Sequence, residues 1–334
     1  MSTPVDITSI GGAAFDVFIR AAHTIAKNDA GEEQIQFPLG GKVKVKSVIQ
    51  SCGGGATNTS VGFSRLGLHA GFCGIIGNDE WGQGIQENLR KEGVNTDAAV
   101  IVEGETSSFS IILVDSASGK RTVLYSGNVN AHLSDAVFPK DMLCKSSWLF
   151  LNHLTDVSQV ILDDFLDVVQ CEKTKFAWNP GGTQIQEGYE APLIKDLLQE
   201  TKILFLNAEE AKTFTRSESI EEALKVGTSS GASVMCITDG GKGAYLSDGK
   251  NILFCPSLPE TKVVDATGAG DGFAVGVTWA IMKGMSLSEA IQAGMISAAS
   301  VISQVGTQAG LLTDTEIRSR LSETTLTVSS SPLS

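Results

Sequence analysis

Short, largely apolar runs alternate with amphipathic stretches along most of this chain. Val5–Ile10, Ala70–Ile76, Trp148–Leu151, Ile203–Leu206 and Val234–Ile237 are bounded by glycine or polar residues, as strands buried on both faces are. Between them, Gln83–Lys91 and Val157–Val169 carry apolar residues at the 3.6-residue spacing of a helix. The alternation predicts βαβ units and a mostly parallel sheet with helices on both faces. Two regions break the pattern. In 16–50, Asp16–Ala21 and Lys42–Ile49 read as strands, the second alternating Val43, Val45 and Val48 with lysines. In 106–127, Phe109–Val114 and Thr122–Tyr125 flank a turn-forming Ser116–Lys120, a hairpin with one wet face. The expected architecture is an α/β body from residues 1–15, 51–105 and 128–321. A small β-sheet subdomain, 16–50 with 106–127, is inserted into it. Residues 322–334, rich in Ser and Thr, are expected to fray.

Composition narrows the function classes. The 334 residues are 42% hydrophobic, ample for a large core, and 25 Lys and Arg stand against 38 Asp and Glu. A net charge of −13 with no basic stripe excludes a binder of nucleic-acid backbones. No apolar run reaches the roughly 18 residues of a membrane span, and Ser2–Asp6 lacks the features of a secretory leader. Cys52, Cys73, Cys144, Cys171, Cys236 and Cys255 are widely spaced without a C-x-x-C pair. They read as reduced thiols rather than zinc ligands or disulfides. A cytoplasmic globule is expected.

The chemistry concentrates in Val263–Phe273. A strand-like end leads into three glycines and an aspartate, then into Phe273–Met282, apolar on nearly every side. A helix without a polar face is buried, so its N-terminus aims free N–H groups and the positive dipole end into an interior crevice. Such a site holds an anion. Asp271 beside it serves either as an ordinary N-cap or as a base that takes a proton while the N–H groups hold a transferring phosphoryl group.

Asp265-Ala266-Thr267-Gly268-Ala269-Gly270-Asp271 resembles the C-terminal signature of the ribokinase-like (PfkB) carbohydrate kinases, D-T-x-G-A-G-D, with Ala266 where that family commonly has Thr. Four more motifs resemble the family's, in its order. These are Gly53-Gly54-Gly55-Ala56-Thr57-Asn58 with Arg65-Leu66-Gly67, then Gly77–Gly82, Asn207–Glu210 and Thr238–Gly243. The resemblance spans about Ile10 to Gly306. It implies a ribokinase-like three-layer α/β/α body with a small β-sheet lid, and an ATP-dependent kinase acting on a hydroxyl of a small sugar. A nucleoside kinase of the same family is the alternative, and a non-catalytic sugar- or nucleotide-binding regulator is a third.

By that resemblance Asp271 is the general base, and Gly268, Ala269 and Gly270 form the anion hole. Asp16, Gly54, Gly55 and Asn58 hold the acceptor's hydroxyls, for which a carboxylate and an amide are suited as hydrogen-bond acceptors. Asn207, Thr238, Gly240, Gly243 and Ser297 are expected at the ATP, with Ala293 and Ser300 as further small residues near the base. Glu210 is expected to hold Mg²⁺ through water, although Asn207–Glu210 reads equally as a helix cap. In parts of the family a monovalent cation such as K⁺ sits near the anion hole; Ala266 and Ser303 leave that open here. A lid edge could pair with a second copy, giving a homodimer. The acceptor site looks short of basic residues, since Arg65, Arg90 and Lys91 read as surface charges; an unphosphorylated acceptor is therefore expected. Leu151–Thr155 lacks the carboxylate that the ribokinase branch carries near the central strand, which counts against ribose itself.

Other signals carry less. No Gly-Lys pair is followed by Ser or Thr, so there is no P-loop. Gly227–Gly231 fits G-x-S-x-G but follows a helix and precedes a strand, the reverse of a hydrolase elbow.

Overall fold

In the computed structural model, which describes residues 4–21, 24–28, 31, 33–114, 121–127, 138–154, 161–172, 174–259 and 261–333, the apolar runs lie side by side in a nine-stranded sheet. From one edge to the other run β6 (Ala70–Cys73), β1 (Val5–Ile10), β11 (Ser146–Leu151), β12 (Lys175–Trp178), β13 (Thr201–Asn207), β14 (Val234–Thr238), β15 (Gly243–Ser247), β16 (Asn251–Pro256) and β17 (Ser329–Pro332). The first six are parallel and the last three antiparallel.

Buried strand residues alternate between two cores, as a period of two requires. Leu149, Leu151, Phe176, Trp178, Leu204 and Leu206 pack on one face. Trp148, Phe150, Ala177, Ile203 and Phe205 pack on the other. Helices α3 (Lys140–Leu143), α4 (Ile161–Glu172), α5 (Gly182–Glu187), α6 (Pro192–Glu200), α7 (Ala208–Thr215) and α8 (Ile220–Ser229) cover the first face. The second is covered by α1 (Gly55–Arg65), α9 (Ala269–Met282), α10 (Leu287–Ile302) and α11 (Asp314–Glu323). Helix α2 (Glu80–Lys91) brings Ile85 and Leu89 into a third core shared with Ala56 and Val61 of α1.

A chain of rings fixes the two helices that matter most. Phe63 of α1 meets Phe150 at 5.7 Å, Phe150 meets Phe205 at 5.8 Å, and Phe205 meets Phe273 of α9 at 6.3 Å. Each such pair adds roughly 0.5–1.5 kcal/mol to the burial of its rings. The chain ties the last turn of α1 and the start of α9 to the same sheet face.

A second sheet, in the order β10 (Arg121–Ser126), β9 (Phe109–Val114), β2 (Ala14–Ala21), β5 (Val45–Gly53), stands beside the body. It begins two residues earlier and ends three later than 16–50, and β5 runs straight into α1. Two ribbons complete the strands among the described residues, β3 (Thr24–Lys27) with β4 (Glu33–Gln36) and β7 (Ile75–Gly77) with β8 (Val100–Val102). The turn expected at Ser116–Lys120 and the start of the helix expected from Val157 fall outside the described residues.

Two expectations are corrected. The run Ala70–Ile76 is not one strand. It breaks at Gly74, where a β-carbon would stand 2.4 Å from the Gly11 carbonyl oxygen, and its halves join different sheets. Nor does the tail fray: Ser329–Pro332 pairs antiparallel with Asn251–Phe254 and closes the open edge of β16. Leu326 anchors it, 8% exposed, with its carbonyl accepting from Gln292 Nε2 at 2.7 Å.

Candidate active site

Helix α9 opens on Gly268, whose φ of 78° is left-handed and whose β-carbon would lie 3.0 Å from Thr307. Only glycine fits both demands. The Ala269 N–H reaches back to the Ala266 carbonyl at a long 3.4 Å. Gly270 has open space where a side chain would stand, so its backbone faces the cleft. From Gly272 to Ala280 the helix is wholly buried. Its first N–H groups therefore point out of the protein interior into that cleft, where they and the helix dipole favour an anion.

Asp271 lies in this first turn. Asn58 Nδ2, from the first turn of α1, donates to its Oδ2 at 2.8 Å. Asn58 is held in turn, its Oδ1 accepting from Thr307 Oγ1 at 2.8 Å and Gln308 Nε2 at 3.3 Å. Desolvation pushes the Asp271 carboxyl up to about 6, against the lowering effect of the Asn58 bond. A carboxylate poised near neutrality beside an anion-favouring helix end is equipped to take a proton at physiological pH.

Asp16 of β2 is 8% exposed and accepts from Ser110 Oγ of β9. Its carboxyl is raised, first by burial and further by the nearby Asp265, with the Ser110 bond opposing. Gly53 makes room for it: a β-carbon there would be 2.1 Å from Asp16 Oδ2. Gly54, with φ 92°, caps α1 where a side chain would strike the Gly12 carbonyl 2.6 Å away. Gly55 lies against the Asn152 side chain. Both glycines thus bring the start of α1 close to the body strands.

Among the described residues two cavities adjoin this cleft, and Gly270 and Thr238 line both. One, of about 350 Å³, is bounded by Gly240 and Gly243 on one side and by apolar Leu258, Val263, Met295 and Ile302 on the other. The other, of about 180 Å³, is lined by His153, Asn179, Asn207 and Glu210. Asn207 caps α7 through bonds from the Glu209 and Glu210 N–H groups, and the Glu210 carboxylate accepts one from the Asn207 N–H at 2.9 Å. The cap and the cavity lining coexist. Among the described residues no group of three or more His, Cys, Asp or Glu could enclose a metal ion. Glu210 is the one carboxylate among the described residues that line the smaller cavity, which suits an ion that keeps most of its waters.

Ser297 is placed elsewhere. It is 4% exposed and faces α9, where a β-carbon at Gly276 would come within 2.7 Å of its hydroxyl. The cavity side of α10 is the stripe Met295, Ala298, Ala299, Ile302. Ala293, Ser297 and Ser300 form the neighbouring stripe, and the glycines at 272 and 276 are the signal that assigns it to helix packing.

Sequence reasoning also missed two arginines. Arg65 is no free surface charge: it grips Glu92 at 2.8 and 2.9 Å and holds the Gln308 and Leu311 carbonyls, steadying the segment that reaches Asn58. Arg121 of β10 bonds Asp265 at 2.8 Å. Neither contact has a local pattern, because the partners are remote in sequence.

Comparison with known proteins agrees with this geometry. A family profile described as "pfkB family carbohydrate kinase" matches residues 23–314. The 2-dehydro-3-deoxygluconokinase of Bacillus subtilis is 27% identical, over 87% of this chain and 94% of its own. A nucleoside kinase of Methanocaldococcus jannaschii is 23% identical, over 94% of this chain and 96% of its own. Among solved structures, Arabidopsis thaliana ribokinase complexed with ribose and ATP superposes with a TM-score of 0.78 at 20% identity, covering 96% of this chain and 99% of that one. Among the described residues no helix is long and apolar enough to cross a membrane. The chain belongs to the pfkB family of carbohydrate kinases, ATP-dependent phosphotransferases that act on a hydroxyl group.

Proposed function

We propose that this enzyme transfers the γ-phosphoryl group of ATP to a hydroxyl of a small, unphosphorylated sugar, with Asp271 as the general base. One observation carries the reading: a carboxyl raised to about 6 and oriented by Asn58 shares the mouth of α9 with the backbone N–H groups of that helix's first turn. The acceptor hydroxyl gives its proton to Asp271 Oδ as the phosphoryl group arrives. The N–H groups of Gly268, Ala269 and Gly270 hold the charge on the transferring oxygens. Asp16 and the free lone pairs of Ser110, whose own O–H is given to Asp16, accept from neighbouring hydroxyls and fix the acceptor for in-line attack.

ATP takes the larger cavity, its base against Met295, Ala298 and Ile302 and its phosphates along Thr238, Gly240 and Gly243 toward Gly270. The hard oxygen donors Glu210 and Asn207 on the smaller cavity fit a Mg²⁺ held through water, which would supply charge neutralisation on the triphosphate. The second sheet acts as a lid that excludes water during transfer. Its outer face presents Val17, Ile19, Ile111 and Leu113 between Val48 and Leu124, which are 51% and 53% exposed. A second copy covers that face, giving a homodimer.

The test is ATP turnover against a panel of sugars, sugar acids and nucleosides. Selective turnover of one unphosphorylated sugar supports the proposal. Preference for a nucleoside would replace the acceptor and keep the mechanism; undiminished turnover by Asp271→Asn would remove the mechanism. Running the panel in potassium and again in a bulky organic cation tests the monovalent-cation expectation.

A further inference from the structure

Asp265 joins three parts of the molecule through one carboxylate. Its Oδ1 accepts from the Thr267 N–H at 3.0 Å, the Thr267 hydroxyl at 2.7 Å and Arg121 Nη1 at 2.8 Å. Its Oδ2 accepts from the Gly306 N–H at 3.2 Å. Thr267 immediately precedes Gly268 at the mouth of α9, and Gly306 precedes Thr307, the partner of Asn58. Arg121 belongs to the second sheet.

The strand register shows which way Arg121 faces. Tyr125 pairs with Ser110 and Ser110 with Asp16; Val123 pairs with Ile112 and Ile112 with Phe18; Arg121 pairs with Val114 and Val114 with Arg20. Paired residues share a face, so Arg121 lies on the face that carries Asp16 into the cleft. Asp265 is 8% exposed, and its charge already raises the Asp16 carboxyl. Without a cation it would add unpaired negative charge where a phosphoryl anion must arrive. A buried carboxylate that loses its partner is also costly to hold in place.

Resting on the kinase reading above, we propose that Arg121 is a positioning residue. Through Asp265 it couples the seating of the second sheet to the shape and charge of the Thr267–Gly270 loop. With β10 seated, Asp265 is neutralised and the loop holds its N–H groups toward the phosphoryl group. With β10 lifted, the loop is charged and loosened, so ATP bound without an acceptor meets an incomplete anion hole.

The test compares Arg121→Met, Arg121→Lys, Asp265→Asn and the Arg121→Met/Asp265→Asn double variant. Readouts are kcat, KM for ATP and acceptor, melting temperature, and hydrogen exchange at Ala266–Gly270 and Arg121–Ser126. Arg121→Met is expected to lower kcat at least about tenfold with both KM values within about threefold and Tm within about 2 °C. Arg121→Lys should recover part of the rate, and the double variant should be no slower than the slower single. Exchange should quicken at both segments together in Arg121→Met. A kcat within about twofold of wild type would overturn the proposal. So would a loss confined to the acceptor KM, which would make Arg121 an acceptor ligand, or a loss that follows Tm and is not rescued by lysine. Exchange needs no acceptor, so it decides this inference even if the wild-type enzyme phosphorylates nothing in the panel.

Discussion

Asn58 and Asp271, 213 residues apart in sequence, meet across the first turns of two helices at 2.8 Å. The amide's hydrogen bond favours the ionised carboxylate and so works against burial, which raises its pKa. It keeps the carboxyl ionisable near neutrality while aiming one oxygen.

Asp271→Asn should lower kcat by about 10²–10⁴-fold, the range of a lost general base. It should also stabilise the fold at pH 7. The native carboxyl sits at about 6 against 3.8 unfolded, so the folded state holds its proton more tightly. Stability contributed by this group is full below about 3.8 and is lost as pH rises through about 6. Removing the charge restores on the order of 1–3 kcal/mol, less what solvent screens. Calorimetry at pH 5 and pH 8 checks the sign: the gain should appear at the higher pH.

The rate should rise with pH to a plateau, with the acidic limb near 6 in kcat/KM. Asn58→Ala removes a donor to the charged form, so that limb should move upward while kcat falls. Matching pH profiles for the two enzymes would contradict the assignment.

Ala298→Phe should raise the KM for ATP while leaving the acceptor KM unchanged, because Ala298 lines the larger cavity. Ser297→Leu should act differently. It overpacks the α9–α10 contact at Gly276, costing about 1–3 kcal/mol of stability. Titrations of ATP alongside melting curves separate the two effects.

Glu210→Gln keeps a cap residue able to accept from the Asn207 N–H, so the fold should hold. The Mg²⁺ concentration for half-maximal activity should rise several-fold, since a carboxylate is lost from the cavity. A magnesium titration at fixed ATP reads this directly.

Leu124→Asp should yield monomers if a second copy covers the outer face of the second sheet. Light scattering on the purified protein reports the mass.

The parallel body was legible because its strands are apolar on both faces and its helices are periodic. So was the mouth of α9, where three glycines, an aspartate and a wholly apolar helix occur together. What escaped was register and long-range pairing. Ser297 and Ala298 are adjacent and both small, and only the partner helix tells which one packs. Arg121 and Arg65 act through residues 144 and 27 positions away, so nothing local marks them. The tail misled because serine and threonine pair through their backbone, and an open edge at β16 accepts any chain that can extend.

Strand β5 ends at Gly53 and helix α1 begins at Gly55, leaving a single residue between them. That junction is too short to serve as a slack tether. Tilting the strand must therefore swing the helix start, and with it the amide that orients the Asp271 carboxylate. In the proposed mechanism, access for the incoming alcohol and readiness to deprotonate it are thereby geared to one mechanical motion.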